Sequence, residues 1–111
     1  MAPMPPVDPE ITLGGYMQKH DRAAAFTGSD GQAYSVGIWV DEAPDDRGRY
    51  GAALIFVRWN PAGDHPTGHL ETDYLAWGRS PGDAEDRLRA LTLYDVKAAL
   101  DEAIARRGEE P

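Results

Sequence analysis

The chain has no cysteine. That excludes a disulfide framework, a zinc site built on thiolates and a cysteine nucleophile, and it suits a reducing cytoplasm. Long apolar runs are missing too: nothing approaches the roughly 18 consecutive apolar residues of a transmembrane helix. Positive charge is scarce, with 11 Lys and Arg against 19 Asp and Glu, a net charge of −8 spread over both halves of the chain. Such a surface repels phosphate backbones, so nucleic-acid binding is not expected. It favours solubility and would draw a basic partner. Met1 to Glu10 has neither the basic cluster nor the apolar run of a secretory signal. The expectation is a cytoplasmic protein with no membrane contact, and the Ala, Arg, Gly and Asp bias is that of a GC-rich bacterial genome.

What is present describes one small domain. At 111 residues with 41% hydrophobic and 27% charged side chains, the chain can bury one core. Pro3, Pro5, Pro6 and Pro9 make residues 1–10 an extended, flexible tail, which leaves 11–108 as a single α+β domain. Residues 11–20 read as a short turn or an extended piece, because Gly14-Gly15 interrupts them. Strands are expected over 23–27, 33–40, 50–59 and 70–77, separated by turn and loop chemistry at Gly28-Ser29-Asp30-Gly31, 41–49 and 60–68. Ser80 and Pro81 open a helical segment. Thr92 can cap a second helix, and Gly108 would end it; one bent helix fits almost as well as two. Short connections favour antiparallel neighbours. The fold class is therefore α+β: a three- or four-stranded antiparallel meander followed by a C-terminal helical segment packed on one face.

With helices supplied late and in one block, one sheet face should be covered and the other open. Alternation puts Tyr34, Val36, Ile38 and Val40 on the covered face with Leu70, Thr72, Tyr74 and Ala76. The open face would carry Trp39, Leu75 and Trp77 beside an apolar row of the 50–59 strand, whose Trp59 is a further anchor. An open apolar row needs a cover, and tryptophan is enriched where proteins meet. The partner-binding candidates are thus Trp39, Trp59, Leu75 and Trp77, for a homodimer or another protein. In the competing reading, Ile11, Leu13, Tyr16 and Met17 fold back over that face.

Chemistry is thinly represented. His65, His69 and Glu71 are the candidate metal ligands, joined by Asp73, but their spacing matches no metal signature. Glu71 with Asp73, or Asp41 with Glu42, could form an acid–base pair, yet nothing separates them from solvated surface charge. His20-Asp21 has no serine motif to complete a triad. Gly28–Gly31 lacks the lysine of a phosphate loop, and Asp41, Asp45 and Asp46 do not follow the calcium-loop pattern. No catalytic residue and no cofactor is assigned, and no motif is specific enough to name a family. The leading expectation is a non-enzymatic protein-interaction module acting through the open sheet face. The alternatives are an acidic inhibitor or immunity-type protein binding a basic partner, and a small metal-dependent enzyme.

Overall fold

A computed structural model describes residues 11–109; the tail expected over 1–10 lies outside the described residues. The order is α1 (Leu13–His20), β1 (Ala25–Thr27), β2 (Ala33–Val40), β3 (Tyr50–Trp59), β4 (Pro66–Glu71), β5 (Ala76–Gly78), α2 (Pro81–Arg89) and α3 (Leu93–Glu109). The strands form one antiparallel sheet in the order β1-β2-β3-β4, and β5 joins β3 on the same edge as β4. The expected α+β meander with a C-terminal helix is the observed architecture. No helix among the described residues is long and apolar enough to cross a membrane.

Two strands carry the sheet because their side chains alternate in register. Val36 lies opposite Phe56, Ile38 opposite Leu54 and Val40 opposite Ala52. These residues, with Tyr34 and Leu70, make one face, and the helices supply Leu13, Ala84, Leu88, Val96, Leu100 and Ala103 to cover it. Each apolar helix stripe recurs every three or four residues, which turns one side of the helix to the sheet.

The helix boundaries follow from capping. Ser80 Oγ accepts the Asp83 N–H at 3.0 Å with Pro81 behind it. Thr92 Oγ1 accepts the Asp95 N–H at 3.0 Å, while Asp95 accepts the Thr92 N–H at 3.2 Å. This reciprocal cap separates α2 from α3, so the segment is two helices. Gly108 does not end α3, which runs to Glu109.

The segment 11–20 is a helix rather than a turn. Thr12 Oγ1 caps it on the Gly15 N–H at 3.0 Å, and Asp21 closes it in the left-handed region at φ 50°. Gly14 is there for a close approach: a Cβ on it would stand 2.7 Å from Arg89 Cβ. The glycine that reads as a helix breaker lets α1 lie against α2. The Leu13 N–H then donates to the Leu91 carbonyl at 2.8 Å.

The last strand also departs from expectation. Pairing with β3 starts earlier, at Pro66, and is interrupted at residues 72–75. Thr72 N–H donates to the Leu54 carbonyl and Thr72 Oγ1 accepts the Leu54 N–H, each at 3.0 Å. Leu75 N–H then donates to the Ala52 carbonyl at 2.8 Å. Asp73, Tyr74 and Leu75 therefore stand against the single residue Ala53, an enlarged β-bulge.

Candidate interaction surface

The face turned away from the helices is built by Ser35, Gly37 and Trp39 of β2, Gly51, Ala53, Ile55, Val57 and Trp59 of β3, and Trp77 of β5. None of the described elements covers it. The segment that could have done so, α1, instead buries Leu13 in the helix-side core, with Tyr16 and Met17 packed against that core.

The bulge changes what this face displays. A straight strand would send Tyr74 toward the helices and Leu75 away from them. The extra residues reverse both, which corrects the two placements expected from alternation. Leu75 lines a small cleft with Ala99 and Ala103 of α3. Tyr74 lies flat over Gly51, where a Cβ would meet its ring carbons at 2.8–2.9 Å. Its ring stacks on Trp39, with centroids 6.2 Å apart and planes 6° apart, and meets Trp77 edge-on at 4.9 Å. The Arg49 guanidinium sits 4.9 Å from the Trp77 ring centre. Trp39, Tyr74 and Trp77 remain 44%, 40% and 36% exposed. Beside them Trp39, Ala53, Ile55 and Glu71 line a hollow of about 240 Å³.

Acid borders this cluster. Tyr74 O–H donates to Asp41 Oδ2 at 2.7 Å. Accepting that bond, together with the Ala43 N–H, holds the Asp41 carboxyl below its ordinary value of 3.8, and the same bond raises the Tyr74 phenol above 10.0. Arg49, the cation over Trp77, is held by Asp45 at 3.1 Å. A carboxyl lowered by folding stabilises the fold above its unfolded value, and that stabilisation disappears as pH falls through the folded value. In Tyr74→Phe the Asp41 carboxyl is expected to titrate at higher pH than in the wild type, as followed by NMR. An unchanged titration would mean that Asp41 does not position the ring in solution.

The predicted residues are only partly brought together. Trp39 and Trp77 meet through Tyr74, which alternation had hidden. Trp59 is on the same face, but about 20 Å along β3 from Ala53, the residue opposite Trp39; its indole N–H donates to Ser35 Oγ at 2.9 Å. His69 Nε2 approaches Glu71 Oε1 at 3.4 Å, whereas His65 faces Asp64 at 4.0 Å. Asp73 bonds Arg106 at 3.0 Å. Among the described residues no three His, Asp or Glu side chains converge to hold a metal ion. The signal for Tyr74 was the pair Thr72-Asp73: aspartate is depleted in strands, and both side chains compete for backbone bonds. Comparison with protein-family models, with curated proteins and with solved structures gives no match.

Proposed function

We propose that this domain is a non-enzymatic protein-interaction module that docks a basic partner protein through its open sheet face. The exposed Trp39–Tyr74–Trp77 cluster carries the reading. Aromatic anchors supply most of the energy of typical interfaces, and these three are already held in place by Gly51, the bulge and Asp41. Little ordering entropy remains to be lost on docking. The adjoining hollow accepts an apolar side chain. Glu71 in its lining and Asp41 on the Tyr74 hydroxyl, in a chain of net charge −8, favour lysine or arginine around that side chain. A second copy would set the same charge against itself, which disfavours the homodimer. An acidic inhibitor of a basic enzyme falls within this class.

Trp39→Glu and Trp77→Glu test the reading. Both side chains are well exposed, so each variant is expected to keep the wild-type circular dichroism and lose about 1 kcal/mol of stability or less, chiefly aromatic contact. Each should abolish capture of a protein that the wild type retains, and that capture should weaken with added salt. Unfolding of both variants would make the tryptophans core residues. A stable dimer in light scattering, broken by both changes, would replace the basic partner with a second copy.

A further inference from the structure

A second feature lies on the opposite face and at the opposite end of the sheet. The last turns of α3 stand away from β4 and leave a cleft of about 410 Å³, lined among others by Tyr34, Arg58, Leu70, Ile104 and Arg107. The volume is that of a small-molecule site. Arg58 is held in one plane: Nε donates to Thr67 Oγ1 at 3.0 Å and Nη2 to the Thr67 carbonyl at 3.1 Å. It lies over Gly68, where a Cβ would stand 2.9 Å from Nη2. Arg49, Arg87 and Arg106 each have a carboxylate partner. Arg58 and Arg107 have no carboxylate ion pair among the described residues, a property they share with other arginines of the chain; what sets these two apart is that both line one cleft. The cleft's own acid, Asp30, is occupied: Oδ1 accepts the Gln32 N–H at 3.0 Å and Oδ2 the Tyr34 O–H at 2.7 Å.

We infer that this cleft binds a small organic oxyanion, a carboxylate or a phosphate ester, with Arg58 and Arg107 as charge partners and Leu70 and Ile104 beneath its carbon body. A guanidinium presents paired donors in a fixed fork that matches both kinds of anion. The Thr67 bonds orient that fork before a ligand arrives, and the apolar floor rewards a carbon body that bare phosphate lacks.

The test is an NMR titration with phenyl phosphate, benzoate and benzyl alcohol. At least one anion should shift the amides of Gly68, Leu70 and Gly108 with an affinity of about 1 mM or tighter, and the neutral alcohol should not. Whichever anion binds more tightly identifies the class. Arg58→Gln and Arg107→Gln should each weaken binding about tenfold, as loss of one charge-assisted bond does. Gly68→Ala, which leaves both charges but displaces the Arg58 fork, should weaken it too. Trp39→Glu should bind as the wild type, which separates this site from the docking face. Absence of shifts up to about 20 mM of either anion, or binding unaltered in both arginine variants, would overturn the inference.

Discussion

Gly78→Ala is expected to cost about 3 kcal/mol, the upper range for overpacking a tight contact. A methyl group there would stand 2.9 Å from Ala84 Cα and from the Asp83 carbonyl carbon, and closer still to the Ala84 nitrogen. All three are backbone atoms, so no side chain can swing aside. Helix α2 cannot retreat without exposing Ala84 and Leu88, which are fully buried, or breaking the Ser80 cap two residues from Gly78. Urea unfolding should show a lower midpoint with an unchanged slope. Gly82→Ala is the matched control: its Cβ would meet only Ser80 Oγ at 4.0 Å, and helix propensity should make it neutral or stabilising by about 0.5 kcal/mol. Equal losses at both positions would show that the effect is not the approach of α2 to β5.

The two glycine pairs of this chain explain which parts of the fold were legible. Gly14-Gly15 looked like an interruption because propensity counts the entropy of glycine and cannot count the Arg89 backbone and Cβ that leave no room for a side chain at Gly14. Gly28 and Gly31 carry turn chemistry and form a turn: Gly31 takes φ 80° and the Gly31 N–H bonds the Gly28 carbonyl at 2.9 Å. The strands 33–40 and 50–59 were readable to the residue: each is a long β-branched and aromatic run, and each is bounded by polar loop residues. The caps at Ser80 and Thr92 were readable because a cap is a local bond between near neighbours. Residues 70–77 were not. A period of two carries a strand's faces forward only while the ladder is unbroken, and the bulge at Asp73–Leu75 exchanges Tyr74 with Leu75. The candidate site was therefore legible in part: Trp39 and Trp77 from alternation, Tyr74 not from alternation but only from the break that Thr72-Asp73 signals.

The same bulge bears on how a partner could approach. An unpaired strand edge invites another strand to add to it. Here one edge is β1, only three residues long, continued by the four residues Gly37–Val40 of β2 that β1 does not reach, and the other is β4 and β5 split by residues 72–75. Each is a short template for pairing. The aromatic rings project from the sheet face instead, so side-chain docking on that face is the mode the architecture leaves open.

Leu54→Ala and Ile55→Ala, neighbours on β3, decide whether that face is open in the intact chain. Leu54 is fully buried on the helix side. Its truncation removes apolar contacts and leaves a cavity that α2 and α3 cannot fill, and it should cost about 3 kcal/mol. Ile55 projects to the other face, half-buried beside Trp39 and Ala53. Solvent already reaches it, no closed cavity forms, and the loss should be about 1 kcal/mol. The two side chains are of equal volume and adjacent, so chain entropy nearly cancels in the difference, and the higher strand propensity of isoleucine narrows the gap without closing it. Chemical unfolding of the full-length protein would measure it. A gap of about 2 kcal/mol means that the aromatic face is bare and available to a partner. Equal costs mean that something in the chain already covers Ile55, and the docking function proposed for Trp39, Tyr74 and Trp77 then falls.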